Sequence, residues 1–260
     1  MNILEVSNLT KKFGGLTANS NISMAVKQGS ITAVIGPNGA GKTTFFNMIT
    51  GVYQPTEGEI LLEGKSIVGL KPDQVAKRGI SRTFQNIRLF GEMTVIENVL
   101  VGMHTHLRGN LLGIFLNLPN TRKEESEAEV EAYRLLEYFN LEPFINEKAS
   151  SLSYGNQRKL EIARALATKP KLLLLDEPAA GMNPRETREL TEVIQRMGKE
   201  FNVTVILIEH DMKLVMEISE HIVVLDHGEK IAEGNPDEIR SNPKVIEAYL
   251  GKAALELEKR

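Results

Sequence analysis

The chain has 260 residues, 42% hydrophobic and 25% charged, ordinary globular values with ample material for a buried core. Its formal net charge of -3 at pH 7 leaves no polybasic footprint, so nucleic acid is not the expected partner. There is no cysteine, which excludes disulfides and thiolate zinc sites and fits a reducing compartment.

In chain order, Met1 to Thr10 lacks the basic n-region and apolar core of a signal peptide. Leu4 to Val6 and Ile22 to Val26 read as β segments and suggest an antiparallel flank. Ile31 to Ile35 reads as a buried strand, with a helix over Gly41 to Thr50 after it. Thr94 and Glu97 form a capping box ahead of Val95 and Ile96. The stretch from Asn86 to Ser151 is more helical, and Glu124 to Tyr138 is a charged helix with Val130, Leu135 and Leu136 for burial. The longest apolar stretch, Leu111 to Leu118, is interrupted by Asn117 and followed by Pro119. A spanning helix needs about 20 apolar residues, so the chain is expected to be soluble and any membrane role to come through a partner.

Lys171 to Leu175 is a second buried strand and Val203 to Ile208 a third. Between them, Glu186 to Lys199 places Leu190, Val193, Ile194 and Met197 on one helical face. Asn183-Pro184-Arg185-Glu186 sets an N-cap, a first-turn proline and an N3 carboxylate, and Asn235-Pro236-Asp237-Glu238 repeats the device. Strands alternating with helices predict an α/β fold with a mainly parallel sheet, an antiparallel β flank and an inserted helical subdomain. The expected division is a core over 1–85 and 152–235, a helical subdomain over 86–151 and a helical tail over 236–260, all within one unit.

Gly36-Pro37-Asn38-Gly39-Ala40-Gly41-Lys42-Thr43 matches G-x-x-x-x-G-K-[ST] between a strand and a helix, the context a phosphate loop requires. Chance supplies roughly 0.01 such matches in a chain of ordinary composition. The glycines allow a tight turn that exposes N–H groups to oxyanions, and the following helix points its positive end at the same place. Lys42 supplies charge to the β/γ-phosphates and Thr43 a hydroxyl to Mg²⁺; Thr44 completes the nucleotide-binding run. Leu172 to Leu175 ends in Asp176 and Glu177, at the sheet edge where open α/β proteins bind ligands. Asp176 would hold Mg²⁺ through water, and Glu177 would orient or deprotonate the attacking water.

Leu152-Ser153-Tyr154-Gly155-Asn156-Gln157, running on to Ile162-Ala163-Arg164-Ala165-Leu166, resembles the Leu-Ser-Gly-Gly-Gln signature of the ABC ATPases. Tyr154 stands in place of the first glycine and Asn156 in place of the glutamine, while Ser153 and Gly155 match. The resemblance covers nearly the whole chain and implies the P-loop NTPase core of that family. It also implies that Ser153 and Gly155 close over a γ-phosphate held by a second subunit. By the same resemblance Gln85 is the Q-loop glutamine, whose oxygen meets Mg²⁺ or water, and His210 hydrogen-bonds the γ-phosphate. Phe13 stacks on adenine, and Ala180-Gly181-Met182-Asn183 is the D-loop, with Asn183 in place of its usual aspartate.

More specifically, Arg82 to Phe90, Met93 to Asn98, Asp176 to Gly181, Ile208 to Met212, the tail Asn242 to Gly251 and the segment His104 to Asn120 resemble ATP-binding subunits of branched-chain amino acid importers. That resemblance implies ATP and Mg²⁺ as cofactors and a second ABC ATPase subunit, a copy or a related paralogue. It further implies two membrane-spanning permease subunits, a periplasmic or extracellular solute-binding protein, and a place on the cytoplasmic face of the cell membrane. Leu89, Phe90 and Met93 would line the groove that receives the permease. Lipopolysaccharide-export ATPases share several of these motifs, and a soluble cluster-assembly ATPase has a similar size. A non-catalytic nucleotide-gated module would lack the glutamate or histidine, and both Glu177 and His210 are present.

Overall fold

The computed structural model describes residues 1–104 and 119–250. The apolar stretch 111–118, most of segment 104–120 and the last ten residues of the expected tail lie outside the described residues.

The strands are β1 (Asn2–Phe13), β2 (Leu16–Lys27), β3 (Ile31–Ile35), β4 (Glu57–Leu62), β5 (Lys65–Ser66), β6 (Ile80–Arg82), β7 (Leu172–Asp176), β8 (Thr204–Ile208), β9 (His221–Asp226) and β10 (Glu229–Gly234). They form two sheets. The first runs β2-β1-β4-β5 and is antiparallel throughout, the flank expected from the sequence. The second runs β10-β9-β3-β8-β7-β6, parallel except for its edge strand β10.

Every residue of β3, β7 and β8 is buried, because parallel strands covered on both faces need continuous apolar runs. Their side chains alternate between two cores, following the two-residue period of a strand. Leu173 and Leu175 face one core, and Leu172 and Leu174 the other. The second core also holds Phe45, Phe46 and Ile49 of helix α1 (Lys42–Ile49) and Leu4, Leu9 and Ile60 of the antiparallel sheet. The helix carrying the phosphate loop is thereby anchored by two aromatic side chains that are fully buried. Burying one such side chain contributes about 1.5–3 kcal/mol.

Among the described residues the remaining α-helices are α2 (Pro72–Lys77), α3 (Val95–Met103), α4 (Pro119–Tyr138), α5 (Tyr154–Ala167), α6 (Pro184–Glu200), α7 (Met212–Ile218), α8 (Pro236–Arg240) and α9 (Pro243–Leu250). Three capping boxes fall where the sequence placed them, at Thr94, Asn183 and Asn235. Such a cap is worth about 1 kcal/mol. Helix α4 departs from expectation at one side chain. Val130 is 69% exposed, while Ala128, Ala132, Leu135, Leu136 and Phe139 are buried. Those five repeat at helical spacing, and Val130 lies two residues off the stripe, on the opposite face. The inserted helices share the first core with β3, β7 and β8, through Val95, Val99, Leu135 and Leu136.

Candidate active site

The phosphate loop leaves β3 at Ile35 and enters α1 at Lys42. Two of its glycines are demanded by space and backbone. A Cβ on Gly36 would lie 2.0 Å from the Leu225 carbonyl oxygen, and one on Gly41, at φ +94°, would lie 2.6 Å from the Ala18 carbonyl oxygen. Both contacts are with backbone, so no larger residue fits without moving the chain. Asn19 secures the turn by donating to the Gly41 carbonyl at 3.3 Å. Lys42 donates to the carbonyls of Gly36 at 2.7 Å and Pro37 at 3.0 Å. Burial pushes its ammonium below the usual lysine value, and the nearby charges of Glu177 and Asp176 oppose that shift. A buried cation beside exposed backbone amides is suited to receive an oxyanion.

A cavity of about 480 Å³ is walled by Asn38 to Thr44, by Gln85 and Glu177, and by Leu16, Thr17, Ala18 and His227. It gathers most of the predicted phosphate-side residues. Sequence reasoning missed Leu16 to Ala18 and His227, which arrive by pairing across the β1–β2 hairpin and by the β9–β10 turn. Neither carries a motif that marks it.

Asp176 ends β7, beside β8, and Glu177 follows it directly. Asp176 is 5% exposed and accepts from the Arg82 guanidinium at 2.6 Å. Arg82 also donates to Asn47 of α1 at 2.6 Å and lies over the rings of Phe46 and Phe84. Removing one partner from a buried pair of this kind costs about 3–5 kcal/mol. No local motif marks the pair, because it forms between neighbouring strands far apart in the chain.

Glu177 adopts a left-handed backbone, φ +48°, unusual for a side chain with a Cβ. Such strain costs of order 1–3 kcal/mol and gathers at functional sites. Its N–H is held by the Ile208 carbonyl at 2.9 Å, and its carboxylate accepts from the Gln85 amide at 2.8 Å. His210 Nδ1 lies 3.8 Å from the same carboxylate and 3.8 Å from that of Glu209. His210 is well exposed and stands outside the cavity wall. Glu209 is buried and accepts from the amides of Ala179 at 2.9 Å and His210 at 3.0 Å. It fastens the segment after Glu177 to the loop carrying His210, a role the sequence did not flag.

Ser153 caps α5, its hydroxyl accepting from the Asn156 amide at 3.4 Å. Gly155 is buried against Glu186, whose Oε1 would lie 2.8 Å from an added Cβ. Neither residue belongs to the cavity around Lys42. Phe13 sits at the hairpin end, opposite Leu16, with its ring edge-on to Tyr53 at 5.2 Å; it borders the cavity without lining it. Leu89 packs against the core, whereas Phe90 and Met93 are 48% and 39% exposed. A cleft of about 430 Å³ between Val52, Val75, Phe84, Arg88, Phe90 and Val101 opens beside Gln85's loop.

The thiol-free site is thus a phosphate loop, a strand-end carboxylate pair and an amide. Oxygen donors suited to a hard cation are present in Thr43, Asp176 and Gln85. The Gln85 amide gives its N–H to Glu177, and its oxygen has no hydrogen-bond partner among the described residues.

A family model described as ABC transporter matches residues 19–180. A second, described as branched-chain amino acid ATP-binding cassette transporter, matches residues 229–254. The high-affinity branched-chain amino acid transport ATP-binding protein BraF of Pseudomonas aeruginosa is 54% identical over 96% of this chain and 98% of its own length. The corresponding protein LivG of Escherichia coli is 51% identical over 96% of this chain and 98% of its own length. Among solved structures, an ABC transporter cassette in its ADP conformation superimposes with a TM-score of 0.84 at 36% identity, covering 97% of this chain and all of that one. A dimeric cassette bound to ADP and Pi gives a TM-score of 0.76 at 29% identity, covering 90% of this chain and 98% of that one.

Proposed function

The chain belongs to the ABC transporter ATP-binding family, and from that premise we propose that it is the ATP-hydrolysing subunit of a branched-chain amino acid importer. The observation that carries the substrate class is the 54% identity to BraF across nearly the full length of both chains. The separate match of residues 229–254 to the branched-chain family model agrees with it and weighs against lipopolysaccharide export or cluster assembly.

In this reading the amides of the loop 36–41 and the ammonium of Lys42 hold the β/γ-phosphates of ATP. Thr43, Asp176 and Gln85 would hold Mg²⁺, which supplies charge neutralisation at the phosphates when bound. Glu177 orients the attacking water and takes its proton, and the exposed His210 swings toward the γ-phosphate. Phe13 stacks on adenine from the hairpin rim. Because Ser153 and Gly155 lie away from the Lys42 cavity, they serve the nucleotide of a second ATPase subunit. That arrangement draws support from the dimeric ADP- and Pi-bound relative.

The helical lobe, residues 86–151, and the nucleotide core, 1–85 and 152–235, then meet at Gln85 and along the apolar core they share. The cleft beside Phe84 and Phe90 receives a permease segment. Among the described residues no helix is long and apolar enough to cross a membrane. The pathway for the solute in this reading lies in the partner permease subunits, on whose cytoplasmic face this chain sits.

The test is to reconstitute the chain with its permease subunits in liposomes and measure ATP turnover against a solute-binding protein in the lumen. Stimulation by binding protein loaded with leucine, isoleucine or valine, and not by empty protein, is the expected result. Stimulation by an unrelated solute alone would assign a different substrate.

A further inference from the structure

We propose that Tyr154 is a positioning residue that ties the signature loop to the hydrolytic carboxylate of its own chain, coupling the two ATP sites of the subunit pair. The proposal rests on the reading above, in which Gln85 and Glu177 act on this chain's nucleotide and Ser153 on the partner's.

The contacts form a closed ring. Gln85 donates its side-chain amide to Glu177 at 2.8 Å. The Glu177 carbonyl accepts from Ala180 at 3.1 Å, setting the turn that leads to Gly181. Gly181, at φ +78°, lies under the Tyr154 ring, whose Cε1 would be 3.1 Å from an added Cβ. The Tyr154 hydroxyl lies 3.4 Å from the Arg158 guanidinium. Arg158 closes the ring by donating to the Gln85 carbonyl at 2.6 Å.

Most of this ring is rigid. Arg158 is fully buried, paired with Glu161 at 2.7 Å and donating to the Phe84 carbonyl at 2.6 Å. Glu161 accepts from the Arg88 amide at 3.1 Å, and Arg164 donates to the Arg88 carbonyl. Residues 158, 161 and 164 share one face of α5, so that helix grips the backbone of Gln85's loop along its length. Tyr154 is different. It is 44% exposed, so core burial does not account for its ring. The residue opens α5 and has no positive φ, so the backbone makes no demand for glycine there. Its ring instead packs the start of the helix against the turn after Glu177, while its hydroxyl meets only Arg158, one turn along the same helix. A shift of Ser153 toward a partner's nucleotide must therefore carry Tyr154, and with it Gly181 and the backbone that sets Glu177.

Coupling between two sites is a free energy read as cooperativity. The experiment measures ATP hydrolysis against ATP concentration in the intact transporter carrying wild-type chain, Tyr154→Gly, Tyr154→Ala or Tyr154→Phe. Misplacing a reacting group by about 1 Å can cost up to ~10²-fold. The wild type is expected to show a Hill coefficient above 1. Y154G and Y154A are expected to lose about tenfold in kcat with KM for ATP within about twofold and a Hill coefficient near 1. Y154F keeps the ring on Gly181 and is expected to restore most of kcat. Y154A guards against a frayed helix start in the glycine variant, since alanine is the best helix former. A wild-type coefficient of 1, unchanged kcat in Y154G and Y154A, a loss confined to KM, or failure of Y154F to rescue overturns the proposal. Glu177→Gln, run alongside, separates the two readings: if that variant still turns over, the assignment of the hydrolytic site fails instead.

Discussion

The side-chain amide of Gln85 donates to the carboxylate of Glu177 across 2.8 Å, although 92 residues separate them in the chain. The cause is the parallel pairing of β6 with β7, in which Arg82 lies beside Leu174. Both strands run out at the same sheet edge, so the residues that follow each of them meet there. The contact holds Glu177's side chain from one side while its strained backbone is fixed by Ile208 from the other. Such a carboxylate is held in place before any substrate arrives, which is what water positioning requires.

Lys42→Ala should weaken ATP binding by at least about tenfold, since it removes the one buried ammonium of the loop from the phosphates. Titration with a fluorescent ATP analogue reads the affinity. Wild-type affinity in the variant would remove Lys42 from the phosphate site.

Phe90→Ala and Met93→Ala should leave the isolated chain's stability within about 1 kcal/mol, because both side chains are substantially exposed. Co-purification with the permease subunits should fall sharply in the double variant. Loss of stability with intact permease binding would return both residues to the core.

Stability should respond to pH through Glu209. Burial raises its carboxyl above the usual 4.5, against the amides of Ala179, His210 and Asp211 that it accepts. The folded chain thus holds this proton to higher pH than the unfolded chain does. Its stabilising contribution is full below the unfolded value and is lost as pH rises through the raised folded value. Glu209→Gln removes the titration, so the stability difference between variant and wild type should shift toward the variant as pH rises from 4.5. Urea unfolding of both chains at several pH values measures it. A difference that stays flat, or moves toward the wild type, contradicts the assignment.

Much of this architecture could be read from local chemistry. The apolar runs of β3, β7 and β8 and the Asn-Pro-x-Glu helix starts are short-range signals, and the folded chain uses them as such. Val130 is apolar yet exposed, because its place in the helical period, and not its hydrophobic character, decides which face it occupies. The charges of Arg82, Arg158, Glu161 and Glu209 were illegible for a different reason. Each is buried because a distant segment folds onto it: Asp176 onto Arg82, the backbone of 84–88 onto Arg158 and Glu161, and the Ala179 amide onto Glu209; the i,i+3 spacing of Arg158 and Glu161 allows their ion pair but does not announce its burial. Tyr154 could be seen as a departure from the signature, yet its meaning required Gly181, 27 positions away, to be placed beneath it.

ATP turnover and ATP affinity in Glu177→Gln, measured on the same preparation, decide whether the carboxylate after β7 drives hydrolysis. Glutamine retains the size of the side chain but cannot take a proton from water. Affinity should stay within about twofold while turnover falls by about 10²-fold or more. Near-normal turnover with normal binding would contradict the claim that this strand-end carboxylate drives hydrolysis.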